Sequence, residues 1–493
     1  MKNIFKSMAL MAGVAALSMT AAMAQQSDAL IDALVKKGVL SDQEAEEIRV
    51  DLSKEYNATS AGKIQLSSFI SKLQLFGDAR LRYEYLNART PAAGNNGLAA
   101  NADRDRFRYR LRLGATYTYD SHWSATVRLE TATANNSTNV DFGRYFDKYG
   151  DSINVGLVYL EYQNQWSLFD STSTVANGKS YSTVTDPGFT LTTDWRVGKA
   201  PKQILLSEAF WDGDTNPEGV AQEFGFTNIG VDGLSLYARG AEYFPGLANG
   251  STGGSTTGIG NDEIGSLLIG QLEVKYAWDS NSNVRIAPMF MTETEATLGT
   301  TATLNQEVDS GNSTGITPTT TTVGAHPYNT LGRLAVAAVP IEVNFKLFGQ
   351  PNQVWGTYGA NLEGQDRLNS LGYQGQHGQN TFWNAGYQIG QSKKKGDWMA
   401  SAEYRWIETA SYTPNLSESD WADNTLNQQG FVLRAGYNLT DFLFGQVSFY
   451  HSNPIETGPG HNGSLPAGGV AYAGAGTYDG QVDRVQVDLS WKF

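Results

Sequence analysis

From about residue 70 to its last residue the chain alternates between apolar and polar side chains. Only strands with one face against an apolar surrounding and the other against something polar satisfy such a period of two. In the first stretch Leu73, Leu75, Ala79, Leu81, Tyr83 and Tyr85 alternate with Gln74, Asp78, Arg80, Arg82 and Glu84. In the second, Phe107, Tyr109, Leu111, Leu113, Ala115, Tyr117 and Tyr119 alternate with Arg106, Arg108, Arg110, Arg112, Gly114, Thr116 and Thr118. The class is therefore all-β. Which face is wet stays open at this point, because a soluble sandwich with its apolar face inward has the same pattern.

The spacing of the stretches favours a membrane. Strands are predicted near 72–86, 106–119, 123–132, 153–164, 189–198, 219–227, 234–243 and 267–278. Eight more fall near 284–292, 333–347, 353–363, 381–391, 397–408, 430–439, 442–451 and 481–493, so the count is an even sixteen. Long connections (87–105, 133–152) alternate with short ones (120–122, 279–283, 349–352, 392–396, 440–441), which sends them to opposite ends. A transmembrane β-barrel requires this order and a sandwich does not. The exception is 165–188, a Ser/Thr/Gly-rich segment where a short turn belongs; it predicts either an extra hairpin or an enlarged turn. Trp398 and Trp406 share the apolar parity about 26 Å apart along a strand. At a tilt of roughly 40° that becomes about 20 Å of height, close to the spacing of the two aromatic girdles of a barrel. The chain ends on Val485, Val487, Leu489, Trp491 and Phe493, a terminal strand of the kind that serves barrels as an assembly signal.

Composition removes the other classes. With 493 residues, no Cys, 40% hydrophobic and 17% charged residues, neither a disulfide scaffold nor a disordered chain fits. The formal charge of −14 argues against nucleic acid as a partner. Beyond residue 24 no apolar run approaches the roughly 20 residues of a membrane helix, and mean hydropathy is −0.35. Residues 1–24 read as a signal peptide: a basic start with Lys2 and Lys6, an uncharged stretch from Met8 to Met23, and an A-x-A cleavage site ending at Ala24. Residues 25–69 are expected to be a short periplasmic leader with two helices. The second opens on a capping box, Ser41 with Glu44, and Ala45, Ile48 and Leu52 lie on one face. Residues 70–493 form the barrel.

Signals for bond chemistry are poor. Gly311-Asn312-Ser313-Thr314-Gly315 matches G-x-S-x-G without a strand and helix around it, and Gly458 to Gly463 matches G-x-G-x-x-G with no helix to follow. Asp212-x-Asp214-x-Asn216 imitates a calcium loop, but Pro217 stands where glycine must. The five His, at 122, 326, 377, 451 and 461, show no ligand or triad spacing. No cofactor, metal or catalytic residue is expected.

The informative constellation is electrostatic. Arg80, Arg82, Arg106, Arg108, Arg110 and Arg112 share the polar parity of two neighbouring strands and predict a basic ladder on the lumen wall. Asp78 and Glu84 on the same wall leave a surplus of four positive charges. The third long connection, 199–218, carries Glu208, Asp212, Asp214 and Glu218. Folded inward, it would face the ladder across about 8 to 10 Å of water, a Debye length at physiological salt.

The leader Lys37-Gly38-Val39-Leu40-Ser41 with Glu44-Ala45, the strand end Val197-Gly198-Lys199, Trp211-Asp212-Gly213-Asp214 with Asn216-Pro217-Glu218-Gly219, and the terminal Phe493 together resemble the bacterial outer-membrane family known as putative porins. The leader is also similar to that of phosphate-selective porins. The resemblance implies a barrel and passive solute diffusion, with the 165–188 insertion departing from the pattern. The expectation is thus a sixteen-stranded outer-membrane porin of a Gram-negative-type bacterium, a homotrimer in outer-membrane lipid. It would pass small hydrophilic solutes and ions between the ladder and the third loop, with Trp491 and Phe493 as the assembly signal. The alternatives are a phosphate-type anion channel, a barrel hydrolase, and an adhesin or envelope tether.

Overall fold

A computed structural model describes residues 35–37, 41, 44, 45, 48, 69–89, 101–132, 138–143, 152–168, 171–177, 180–186, 189–227, 229–244, 266–293, 334–366, 378–413, 416–422, 426–455 and 481–493. The signal peptide, most of the leader, and the G-x-S-x-G and G-x-G-x-x-G matches lie outside the described residues. Two units separate at residue 70. In the first, the capping box is closed: the Ser41 N–H donates to Glu44 Oε2 at 2.9 Å and the Glu44 N–H to Ser41 Oγ at 3.3 Å.

The second unit is a barrel. Its strands are β1 (Lys72–Arg89), β2 (Asn101–Thr118), β3 (Trp123–Ala132), β4 (Val140–Asp141), β5 (Ser152–Leu168), β6 (Ser171–Asn177), β7 (Ser180–Asp186), β8 (Phe189–Lys199), β9 (Glu218–Thr227) and β10 (Leu234–Tyr243). There follow β11 (Leu267–Asp279), β12 (Ser282–Ile286), β13 (Met289–Glu293), β14 (Ala335–Leu347), β15 (Gln350–Asn361), β16 (Thr381–Gly390), β17 (Trp398–Ile407), β18 (Gln428–Asn438), β19 (Leu443–Pro454) and β20 (Val482–Lys492). Each stave pairs antiparallel with the next, and β20 returns to β1, from Asp78 opposite Lys492 to Ala88 opposite Val482. The wall has sixteen staves because β12 and β13 are halves of one: both pair with β11 and with β14. Pro288 stands between the halves and has no N–H for the ladder, so the strand is interrupted there but stays in place. β4 is a piece of the second long loop that turns back to pair with β2 at Arg108 and Tyr109. The insertion at 165–188 is an extra hairpin, with β6 paired to β7 at the end where the short turns lie.

The burial pattern decides which face is wet. Charged residues are buried: Glu84 and Arg405 are 0% exposed. Apolar residues such as Leu272 (65%), Val339 and Leu433 are exposed. A water-soluble sandwich has the reverse arrangement, whereas a transmembrane barrel faces lipid with its apolar side. Trp398 and Trp406 lie on this outer face, Trp406 stacked 6.4 Å from Trp383 at 10°.

The seam is closed at the last residue. The Gly77 N–H donates to the Phe493 carbonyl at 2.9 Å, and the Phe493 N–H donates to Gly77 O at 3.1 Å. The Phe493 ring lies over Gly77, where an added Cβ would come within 2.5 Å of it. Deleting Phe493 removes both hydrogen bonds and the ring from the joint between the first and last staves. Fractionation of cells expressing the truncated chain should therefore show it exported but accumulating in the periplasm. Wild-type levels in the outer membrane would contradict this.

Candidate functional site

Ladder register creates a problem that the loops solve. Arg80 sits opposite Arg110 and Arg82 opposite Arg108, and like charges directly across a strand pair are destabilising. Carboxylates arrive from several elements. Asp488 on β20 takes Arg82 with both oxygens, at 2.7 and 2.8 Å. Glu84 takes Arg106 at 2.6 Å, and Asp141 on β4 takes Arg108 at 2.8 Å. Asp214 reaches Arg110 at 3.2 Å and Arg112 at 2.5 Å.

Asp214 belongs to loop 3 (residues 200–217), which crosses the lumen. The loop leaves from Gly198 and returns at Gly219, which pair across the two strands. Their φ angles are +121° and +156°, and a Cβ would come within 2.3 Å of Val158 O and 2.1 Å of Glu242 O, so these positions need glycine. Gln271 on the far wall grips the loop like a strand partner: it accepts from the Leu205 N–H and donates to Leu205 O, both at 2.8 Å. Asn384 donates to Ser207 Oγ at 3.0 Å. Phe210 packs on Phe382 at 4.6 Å and Trp211 on Tyr243 at 5.8 Å, so the loop is held by an apolar core inside the lumen.

A second loop folds inward. Loop 7 (residues 408–427) meets loop 3 directly: the Asp212 N–H donates to Leu416 O at 2.7 Å, and the Asp212 carboxylate accepts from the Ser419 N–H and Oγ at 3.0 and 2.9 Å. Asp420 takes Arg82 at 2.9 Å. Glu418 takes Arg434 at 2.8 Å and also pairs with the buried Arg405, which bonds Glu403 at 2.6 Å as well. Trp421 and Tyr412 are buried in the same core as Phe210.

Between the loops and the ladder lies a cavity of about 260 Å³. Its charged lining is Arg80, Arg82, Arg108 and Arg434 against Glu208, Asp212, Asp214, Glu418, Asp420 and Asp488. The Glu418 carboxylate, then withdrawal from bulk water, pushes the pKa of Glu208 up to about 7. Burial, then the charge of Asp214, pushes that of Asp212 up to about 6. For Asp214 burial acts in the same upward direction, but Arg110, Arg112 and Arg80 outweigh it and hold the group well below the usual carboxylate range.

The expected site residues are thus partly brought together. Asp214 touches the ladder instead of standing off across water, because the wall grips loop 3 on both sides. Glu208, 51% exposed, turns to Arg434 on β18 at 3.2 Å and away from the ladder. Glu218 stands apart: as the first residue of β9 it pairs with Lys199 at 3.2 Å and is 63% exposed. Loop 7 and β4 were not anticipated. The one signal for loop 7 is an aromatic next to an acid, Asp420-Trp421, echoing Trp211-Asp212 of loop 3.

A family model described as "Putative porin" matches residues 85–336, just over half of the chain. The chain belongs to the putative porin family. The match covers ladder strand β2, loop 3 and the Gln271 and Tyr243 contacts that hold it, but not Arg80, Arg82, Phe382, Asn384 or loop 7. Solved structures similar to this porin include a Salmonella typhi OmpF complex with daunomycin, at 10% identity and a TM-score of 0.42, covering 87% of this chain and 100% of that one. A triply substituted Rhodopseudomonas blastica porin has 10% identity and a TM-score of 0.36, with 86% and 100% covered. The barrel rests on its own strand register, not on these likenesses. No curated protein matches the sequence.

Proposed function

We propose that this porin is a passive diffusion channel for small hydrophilic solutes in the outer membrane of a Gram-negative-type bacterium. Its constriction is formed jointly by the arginine ladder and loops 3 and 7. The observation that carries this reading is the polar cavity inside a closed sixteen-stave wall: a wall of that size leaves room for water, and the charges lining the gap keep it wet. The short turns and hairpin β6–β7 would face the periplasm, after export by a signal peptide cleaved behind Ala24. Family and fold favour a channel over an enzyme. Four guanidinium groups against six carboxylates in the lining speak against a channel reserved for anions. The barrel would work as a homotrimer, with residues 25–69 as a periplasmic leader.

Liposome swelling with sugars of increasing size tests the reading. Monosaccharides are expected to enter and larger oligosaccharides to be excluded; swelling with none of them would refute it. The leader should be dispensable for the pore, because a closed strand system takes no hydrogen bond from a preceding segment. Deleting residues 27–60 is expected to preserve heat-modifiable mobility and conductance. Loss of the folded barrel would contradict this, whereas loss of trimers alone would assign the leader to assembly.

A further inference from the structure

Most charges around the cavity are matched, and the exceptions come as a pair of opposite sign. Arg82 is held by Asp488 and Asp420, Arg108 by Asp141, and Arg434 by Glu418 and Glu208. Arg80 donates to Asn139 Oδ1 at 2.5 Å, and no carboxylate among the described residues lies at ion-pair distance from it. Its Nε is buried without a partner. The nearest carboxylates in the cavity are engaged elsewhere, Asp488 with Arg82 and Asp214 with Arg110 and Arg112.

Asp212 is the counterpart. Its carboxylate accepts only neutral donors, the Asp214 N–H at 2.8 Å and the two Ser419 groups, and no cation among the described residues is at ion-pair distance. Lys202 on the same loop turns its ammonium to the Leu206 and Trp211 carbonyls, at 2.9 and 3.4 Å. One guanidinium and one carboxylate without ionic partners therefore line the same small space. At ~30 Å³ per water, about 260 Å³ holds roughly nine waters, the volume of an amino acid or a very short peptide.

Resting on the channel reading above, we infer that this cavity is a recognition site for small zwitterions of the free amino-acid class, with Arg80 taking the carboxylate and Asp212 the ammonium. A solute carrying only the anion meets a lining rich in carboxylates, and one carrying only the cation meets the ladder. A zwitterion answers both unmatched groups at once. Both anchors are half-buried and open onto the cavity, and a site with one contact at each end speeds transit by raising entry without trapping the solute.

Four solutes of nearly equal size separate the charge states: alanine (zwitterion), lactate (anion), alaninamide (cation) and lactamide (neutral). Isotope-labelled uptake into proteoliposomes of the purified full-length protein is expected to be about five- to ten-fold faster for alanine than for lactamide. Lactate and alaninamide should gain far less. Arg80→Gln and Asp212→Asn should each bring alanine down toward lactamide while lactamide still enters, and Arg80→Lys, which keeps the charge, should retain part of the preference. Heat-modifiable mobility checks that each variant is folded. Lactamide uptake with no alanine preference in the wild type overturns the inference and leaves the channel reading standing. So does a preference that survives both neutralising variants. Entry of none of the four overturns both.

Discussion

Excising residues 411–424 and bridging the gap with glycines is expected to raise single-channel conductance about two- to four-fold, because a sixteen-stave wall is wide enough to conduct and the excision frees part of what fills it. Loop 7 shares the lumen with loop 3. It supplies Tyr412 and Trp421 to the core inside the lumen, offers Leu416 O to the Asp212 N–H, and bonds the Asp212 carboxylate through Ser419. The wall keeps its own register, since β17 and β18 pair from Trp398 opposite Tyr437 to Ile407 opposite Gln428. Excision also removes Glu418 from the buried Arg405, and breaking a buried ion pair costs about 3–5 kcal/mol, so the midpoint of heat modification should fall. Unchanged conductance in a folded variant would take loop 7 out of the conduction path.

The second large effect is on ion preference. Replacing Asp212 and Asp214 by Asn leaves Arg110 and Arg112 without their loop partner and removes two carboxylates from the cavity, so reversal potentials in a KCl gradient should move toward anions. Replacing Arg108 and Arg110 by Ala removes two guanidinium groups and should move them toward cations. Both shifts should shrink between 0.1 and 1 M salt as the Debye length falls from about 10 to about 3 Å. Titration supplies a check on sign. Carboxyl groups with pKa values raised to about 7 (Glu208) and about 6 (Asp212) are ionised at pH 8 and mostly neutral at pH 5, so acidification should carry the wild type toward anions. Glu208 faces Glu418, Arg434, Arg405 and Asp212, Asp212 faces Asp214, Ser419 and Glu418, and the Lys202 ammonium interacts with both. Asp214, held low by three guanidinium groups, stays charged throughout. Asp212→Asn should therefore flatten part of the pH response. Shifts of the same sign from the two double variants would rule out this arrangement of charge.

The wall was legible because a period of two is a local property, written into consecutive residues such as Phe107 to Thr118. All sixteen staves lie where the alternation puts them. Pro288 splits one stave within the span from 284 to 292, and the unexplained 165–188 insertion is a hairpin. The site was legible only as parity. Six arginines of one parity indicate a ladder, but which acid each one finds depends on contacts between residues far apart in the chain, as with Arg82 and Asp488 or Arg110 and Asp214. Loop 7 has no period at all. Its inward course is set by Trp421 and Tyr412 meeting Phe210 and Phe382 in three dimensions. Glu218 was misassigned for a related reason: proximity to Asp214 in the chain put it in the loop, while hydrogen bonding made it the first residue of β9.

An aqueous path through this barrel past loops 3 and 7 would carry current, and planar-bilayer recording of the purified, heat-modifiable protein measures it. Discrete conductance steps that grow with KCl concentration are the predicted result. A bilayer that stays silent after insertion of the folded protein would contradict the account.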